Sequence, residues 1–157
     1  PAVRSVVPRG LPLIKGDERS LTDALANLLR NALEASPPDG TVHVVVRFRG
    51  GSRWLDLVVT DEGSGIALDD RRRIFAPGYS GREGGSGLGL AIAQQVTMAH
   101  GGRILLASAE GGPTTFTLRL PVSGMTVEPA LHGYRARSAR LPAVPQATEH
   151  VPQGHRG

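Results

Sequence analysis

The sequence contains no cysteine, a single lysine and few aromatic residues, and each shortage excludes a class of protein. Without cysteine there are no disulfides, no cysteine-ligated zinc site and no thiol nucleophile, which fits a reducing cytoplasm. Aromatic residues make up 4% of the chain, so the core must be aliphatic. No apolar run approaches the roughly 20 residues of a membrane-spanning helix. We therefore expect a cytoplasmic chain that makes no membrane contact.

The charge balance is basic, with a formal net charge of +4 and a pI of about 10.6. Proteins that bind nucleic acid cluster such charge and interleave it with aromatic rings that stack on bases. Here Lys15 is the only lysine, and the arginines are scattered apart from Arg71, Arg72 and Arg73. The sequence therefore does not favour a nucleic-acid partner.

The 157 residues suffice for one domain with a tail and not for two. Apolar patterning continues to Pro121, and the residues beyond it are rich in proline, alanine and arginine. We predict an ordered domain over residues 1–121 and a disordered tail over residues 122–157. Because the chain starts at Pro1 and not at methionine, we interpret it as a piece of a longer protein.

The apolar pattern predicts helices that alternate with hairpins. Asp17 can cap a helix that ends near Ser36, ahead of two prolines. A second helix is predicted over residues 88–100, ended by Gly101. The acidic pair 69–70 followed directly by three arginines favours a further short helix at residues 69–73. Strands are predicted over residues 4–7, 11–15, 41–49, 54–60, 103–109 and 114–120. This order predicts an α+β fold, with helices packed on one face of a mixed, mainly antiparallel sheet.

The first predicted helix carries two asparagines one turn apart, Asn27 and Asn31, with Glu34 beside them. At about 100° per residue the three side chains fall within roughly 60° of one another. Such a row of oxygen atoms suits a hard cation such as Mg²⁺, which keeps several waters and takes few protein ligands. A solvated polar helix face fits the same pattern, and this helix alone does not decide between the two.

Two glycine-rich loops follow. In the first, Asp61-Glu62-Gly63-Ser64-Gly65, a carboxylate can accept a hydrogen bond from an exocyclic amine while the glycines let backbone approach a flat ring; a plain turn is the alternative. The second, Gly84 to Leu90, opens directly into a helix, whose exposed N–H groups favour a phosphate. A flexible linker is the alternative there, although the leucines in the run indicate packing.

These segments recur in a fixed order: Asn27 to Ala32, Asp61 to Ile66, Ile74 to Pro77, Gly85 to Leu90, and His100 to Gly102. In that order and spacing they resemble the ATP-binding catalytic domain of sensor histidine kinases. The resemblance runs from about Val7 to Pro121. It implies a two-layer α/β sandwich of the Bergerat type, and a protein-histidine kinase activity with ATP and Mg²⁺ as cofactors.

The resemblance also implies roles for single residues. Asn31 matches the asparagine that binds Mg²⁺, with Asn27 as a second candidate, and Asp61 matches the carboxylate that recognises the adenine amine. His100 looks structural. Further nucleotide-binding positions implied in the same way are Gly63, Gly65, Ile66, Phe75, Gly85, Gly87, Leu88 and Gly89.

The segment from Phe75 to Gly84 is similar to the ATP lid of a short-lid subgroup of the family. Arg82 falls on the lysine of that lid, where its fork of donors suits the β- or γ-phosphate. The resemblance therefore implies Asn31 and Arg82 as the catalytic pair. Gly78 stands for an aromatic residue and Gly81 for a threonine, and both substitutions favour a looser lid.

Family members phosphorylate a histidine on a helical dimerisation domain, usually followed directly by an acidic residue. None of the five histidines here has that context. The resemblance therefore implies a module that supplies the γ-phosphoryl group to a histidine upstream in a homodimeric parent protein. A cognate response regulator would be the next phosphate acceptor.

Two alternatives stay open. The first keeps the fold but changes the reaction, to an ATP hydrolase of the gyrase and heat-shock type or to a serine-phosphorylating switch kinase. The hydrolases use a glutamate one turn before the binding asparagine, and that position is Asn27 here, which argues against hydrolysis. The second is a non-catalytic interaction domain that has kept the fold and lost ATP.

Overall fold

The computed structural model describes residues 1–81 and 85–123. In these residues the chain forms β1 (Ala2–Val6), α1 (Glu18–Ala35), β2 (Thr41–Phe48), β3 (Trp54–Asp61), α2 (Gly89–Ala99), β4 (Arg103–Ser108) and β5 (Thr114–Pro121). The strands form one sheet in the order β1-β2-β3-β5-β4. β1 runs parallel to β2, and all other neighbours are antiparallel. The predicted mixed, mainly antiparallel sheet is confirmed.

Helix α1 begins and ends at the signals that the sequence carries. The Asp17 side chain accepts a hydrogen bond from the Ser20 N–H at 2.7 Å, which satisfies one of the donors that a helix start leaves unpaired. At the other end the Ser36 N–H donates to the Ala32 carbonyl at 3.0 Å, and two prolines follow. The buried face of the helix consists of Ala24, Leu28 and Ala32.

Both helices pack on the same face of the sheet, as predicted. The register aligns Val44, Val59, Phe116 and Leu106 in one row across four strands. Side chains on this face and the apolar stripes of both helices form a single buried cluster: Ala24, Leu28, Ala32, Val42, Val59, Ile74, Ala93, Phe116 and Leu118. The core is aliphatic apart from one phenylalanine, as the low aromatic content requires.

Two predicted elements are absent from the described residues. Residues 11–15 form no strand, since only Pro12 makes a bridge, and proline has no N–H for a ladder. The Leu13 carbonyl instead accepts from the Ser123 N–H at 2.8 Å. Residues 68–75 form successive turns and not a helix, with the Asp70 carbonyl accepting from the Arg73 N–H at 2.8 Å. This tight path turns Ile74 into the core, where it is buried.

Most of the predicted tail, from residue 124 onward, lies outside the described residues. Its first two residues continue along the domain, because the Val122 N–H donates to the Arg53 carbonyl at 2.9 Å. In the part of the chain that the structure describes, neither helix has the length and hydropathy needed to cross a bilayer.

Candidate functional site

A stripe along α1 connects the two glycine-rich loops. Asn27, Asn31 and Ala35 follow one another at four-residue spacing and therefore lie on one side of the helix. At one end, the Asn27 side chain lies 3.6–3.7 Å from the position that a Cβ on Gly89 would occupy. At the other end, the Ala35 carbonyl lies 2.8 Å from the equivalent position on Gly63. This α1 stripe spans about 12 Å between the two loops.

Asp61 is the last residue of β3 and is only 2% exposed. Its register places it on the helix-facing side of the sheet, in line with Val59. One carboxylate oxygen, Oδ1, accepts a hydrogen bond from the Gly63 N–H at 2.9 Å. A carboxylate can accept several hydrogen bonds at once, so this arrangement is compatible with an exocyclic amine as a further donor.

The loop after Asp61, residues 62–66 (the base loop), is bound to the turn between β4 and β5. Gly65 has φ +75°, and a Cβ at this position would overlap the Ala109 carbonyl. The Ser64 carbonyl accepts from the Gly111 N–H at 2.7 Å. The base loop therefore has one backbone path, fixed by contacts with a hairpin far away in the sequence.

Two apolar residues of the candidate site fix loops to the fold. The Ile66 N–H donates to the Ser108 Oγ at 2.9 Å, and the Ile66 side chain packs against the core cluster. The Phe75 ring meets the Phe116 ring edge-to-face, with the centroids 6.3 Å apart. Phe75 is thus anchored in the core at the start of the predicted lid.

The two ends of the lid touch through their backbones. The Gly78 N–H donates to the Gly87 carbonyl at 3.1 Å. Gly87 has φ +64°, and a Cβ there would lie 2.5 Å from the Gly78 carbonyl carbon and 2.6 Å from the Tyr79 oxygen. We call Gly78, Tyr79 and Gly87 the lid neck.

Charged residues from the preceding turns hold the Tyr79 side chain. The Arg73 guanidinium lies over the Tyr79 ring, 4.9 Å from its centroid. A hydrogen bond from the Tyr79 hydroxyl to the Asp70 carboxylate raises the pKa of Tyr79 above its usual value, because the phenolate can no longer donate. Partial burial and the negative charge of Asp70 act in the same direction.

Helix α2 starts directly after the lid neck and has no side-chain cap at its N-terminus. Leu88 occupies the cap position, where its N–H lies 3.4 Å from the Ser86 Oγ. Uncapped N–H groups and the helix dipole together favour an anion at this end. Gly85 is exposed beside it. Arg82 lies outside the described residues.

The predicted row of oxygen ligands is only partly formed. Asn27 and Asn31 lie half-buried on the α1 stripe, whereas Glu34 is exposed and lines a groove with Pro1 and Leu33. Among residues 1–81 and 85–123, no group of three or more His, Asp or Glu side chains is placed to hold a metal ion. The side chain of Asn31 offers an amide oxygen, which is a ligand type that Mg²⁺ accepts.

Sequence reasoning missed three contributors to the site: Ala35, Ala109 and Tyr79. The four-residue spacing from Asn31 was a sufficient signal for Ala35. The contact between Gly65 and Ala109 joins distant parts of the chain, and no local pattern indicates it. Tyr79 was treated only as a lid residue, although the nearby Arg73 and Asp70 are suitable partners for it.

Comparison with known proteins gives consistent matches. A family model described as histidine kinase-, DNA gyrase B-, and HSP90-like ATPase matches residues 16–124. Sensor histidine kinase ZraS of Escherichia coli is 42% identical over 113 residues, 72% of this chain and 24% of ZraS. Sensor-like histidine kinase SenX3 of Mycobacterium tuberculosis is 42% identical over 125 residues, 76% of this chain and 30% of SenX3. The chain thus spans less than a third of these relatives.

Solved structures match over most of the domain. The mycobacterial sensor histidine kinase MprB superposes with a TM-score of 0.66 at 34% identity, over 79% of this chain and 82% of that one. Full-length ShkA in complex with AMPPNP gives a TM-score of 0.68 at 30% identity, over 83% of this chain and 27% of ShkA. The chain therefore belongs to the histidine kinase-, DNA gyrase B-, and HSP90-like ATPase family, as an ATP-binding catalytic domain of the sensor histidine kinase type.

Proposed function

We propose that this domain binds Mg²⁺-ATP along the α1 stripe and supplies the γ-phosphoryl group to a histidine on a dimerisation domain elsewhere in its parent protein. The α1 stripe carries the proposal. It joins a loop with a buried carboxylate, Asp61, to an uncapped helix start at Leu88. A nucleotide has the same polarity, with an amine at one end and phosphates at the other.

Each end of the nucleotide has its own set of residues in this proposal. Asp61 accepts a hydrogen bond from the adenine amine, and Gly63 and Gly65 keep the base loop close to the ring. Asn31, with Asn27 behind it, holds Mg²⁺. When bound, this ion neutralises charge on the phosphates during an in-line transfer.

The remaining nucleotide contacts belong to the lid and to the start of α2. Gly85, Leu88 and Gly89 offer backbone N–H groups to the phosphates, and Gly87 keeps the lid neck closed. We assign Arg82 to the β- or γ-phosphate on the resemblance alone. In the transfer itself an imidazole nitrogen attacks the γ-phosphorus, and ADP leaves with the electron pair of the broken P–O bond.

The wider setting follows from the relatives, which are named as sensor histidine kinases. We propose a homodimeric parent protein whose dimerisation domain bears the phosphorylated histidine, and a cognate response regulator that takes the phosphoryl group from it. We place this domain in the cytoplasm, where ATP is available. Residues 1–121 form the ATP-binding unit in this scheme, and no role is assigned to residues 122–157.

The adenine contact provides the test. In Asp61→Asn one of the two carboxylate oxygens becomes an NH₂ group, which faces either the Gly63 N–H or the adenine amine, and both of these are donors. An unmatched polar group of this kind costs about 1–3 kcal/mol, so ATP binding should weaken about tenfold to a hundredfold. Isothermal titration calorimetry with Mg²⁺-ATP measures this change.

Inosine triphosphate, which carries a keto oxygen in place of the amine, is the matched control ligand. The wild-type domain should prefer ATP, and Asp61→Asn should lose or reverse this preference. Equal ATP affinity in the two proteins would disprove the assignment of Asp61. Phosphoryl transfer is then measured with a histidine-bearing dimerisation domain added in trans; steady phosphate release by the domain alone would identify a hydrolase instead.

A further inference from the structure

The His100 side chain links the end of α2 to the start of α1. Its Nε2 lies 3.0 Å from the Asp17 backbone nitrogen, and its Nδ1 lies 2.7 Å from the Val96 carbonyl oxygen. A backbone N–H only donates and a carbonyl only accepts. His100 must therefore be neutral, with its proton on Nδ1 and a lone pair on Nε2.

The imidazole ring of His100 packs against Gly16, which lies just ahead of α1 and has no side chain. A Cβ on Gly16 would overlap the ring carbon Cδ2 and lie 2.7 Å from Nε2. On its other side the ring is fixed to α2 through Val96, one turn earlier. We call this contact of His100 with Gly16, Asp17 and Val96 the His100 latch.

The latch closes one end of an antiparallel helix pair whose other end lies at the candidate site. Asp17 meets His100 at the first end, and Asn27 meets Gly89 at the second. The two ends are about 15 Å apart along α1. Between them Ala24 on α1 and Ala93 on α2 are fully buried in the core cluster.

We propose that His100 is a positioning residue for nucleotide binding. By fixing how far α2 extends along α1, the latch sets where Gly89 and the lid neck stand relative to Asn27 and Asn31. A slide of one residue moves the start of α2 by about 1.5 Å. A displacement of about 1 Å in a reacting geometry is enough to reduce rates up to a hundredfold.

Two substitutions separate the latch from simple packing. In His100→Gln the side-chain oxygen reaches about as far as the ring Nε2 and keeps an acceptor for the Asp17 N–H. In His100→Asn the amide ends near the ring Nδ1, so it keeps a donor for Val96 and loses the acceptor. Gly16→Ala tests the same contact from the α1 side, and the exposed Met98→Gln is the control in the last turn of α2.

The experiment uses the full 157-residue chain at a temperature well below the melting transition of every variant. We expect His100→Asn and Gly16→Ala to bind Mg²⁺-ATP about threefold to tenfold more weakly, and His100→Gln and Met98→Gln to stay within about twofold of wild type. Melting temperatures are recorded in parallel. Reduced melting temperatures with unchanged ATP affinity in the first two variants would show a merely structural role and overturn the proposal.

A readout without nucleotide keeps this inference separate from the proposed function, on which its affinity test rests. Nitrogen-15 spectra of the wild-type imidazole should show a protonated Nδ1 and an unprotonated Nε2 for His100. Amide exchange at Asp17 should accelerate in His100→Asn and not in His100→Gln. The opposite tautomer, or equal exchange in the two variants, would overturn the latch even if ATP binds as proposed.

Discussion

The base loop, residues 62–66, and the lid, residues 76–88, are both rich in glycine, but they are held in different ways. In the base loop, Gly63 and Gly65 press against fixed backbone, the carbonyls of Ala35 and Ala109. In the lid, Gly78 and Gly81 have no atom within 4 Å of the position that a Cβ would occupy. Of glycines 78, 81 and 87, Gly87 in the lid neck is the one that is as confined as the base-loop glycines.

This difference shows that two glycine-rich sequences can form loops of different kinds, one held by neighbouring backbone and one with open glycines. The base loop is built before any ligand arrives, because a helix end and a distant hairpin already define its path. Among the described residues, the lid is held where it starts, next to Phe75, at Tyr79 by Arg73 and Asp70, and where its two ends meet at the neck. If the nucleotide binds as proposed, the base meets a loop that distant backbone already holds in place, whereas the phosphates meet the segment that contains the open glycines 78 and 81.

The largest effect should come from Gly65→Ala. A side chain at φ +75° costs about 1–2 kcal/mol, and the new Cβ would also overlap the Ala109 carbonyl. We expect the free energy of unfolding to fall by at least about 2 kcal/mol, measured by urea denaturation.

Gly81→Ala in the lid is the matched control. No atom of the described residues lies within 4 Å of the Cβ position, so the alanine should change the free energy of unfolding by less than about 1 kcal/mol, or raise it slightly by restricting the unfolded chain. A similar loss of stability in both variants would break the contrast between the two loops.

The next effect concerns the second glycine-rich loop, whose glycines look alike in the sequence. Gly87→Ala places a Cβ against the Gly78 and Tyr79 backbones and should weaken Mg²⁺-ATP binding by about tenfold or more. The atoms nearest to the Cβ of Gly89→Ala belong to the Asn27 side chain, at 3.6–3.7 Å, which is ordinary contact. Because alanine also favours the helix by about 0.5–1 kcal/mol, this variant should be as stable as wild type or more so.

Calorimetry on the two variants separates the neck from the phosphate seat. Gly89→Ala could lose as much affinity as Gly87→Ala. Close approach of the nucleotide to the start of α2 would then explain both losses, and disruption of the lid neck would not. An undiminished affinity in Gly87→Ala would show that the neck can open without cost.

The smallest effect should come from Tyr79→Phe, which removes the hydrogen bond to Asp70 and keeps the ring under Arg73. Because the folded protein raises the pKa of Tyr79, this bond stabilises the lid fully below the ordinary tyrosine pKa of about 10 and is lost as the pH rises through the raised value. Absorbance titration of wild type should show one tyrosine ionising late. The variant should lack this late step. Proteolysis within the lid should become only slightly faster.

Much of the fold could be predicted because its signals are local. Asp17 caps α1, and the alternation of valines in β2 selects the face that is buried. The prediction was wrong at residues 11–15, where a strand was expected, and at residues 69–73, where a helix was expected. An apolar or charge pattern reports neither the backbone donors of a segment nor its packing in the fold. The missing N–H of Pro12 prevents a strand, and the burial of Ile74 favours tight turns over a helix.

The candidate site could be predicted as residue types but not as a set of contacts. Asn31 and Asp61 belong to patterns that a sequence displays, and the structure shows where they lie. What separates Gly87 from Gly89, or Gly65 from Gly81, is the neighbouring backbone, supplied by residues that are distant along the chain. The His100 latch is of the same kind, since a histidine at a helix end gives no sign of an acceptor facing another helix.

The edge-to-face pair of Phe75 and Phe116 connects lid closure to the cooperative unfolding of the whole domain. Phe75 lies directly before the lid and packs against the core cluster, so unfolding of the domain must also separate its ring from Phe116. At a nucleotide concentration a hundred times Kd, mass action adds about 2.7 kcal/mol to the free energy of unfolding. We therefore expect nucleotide binding to raise the melting temperature of the whole domain, and not only to fill the site.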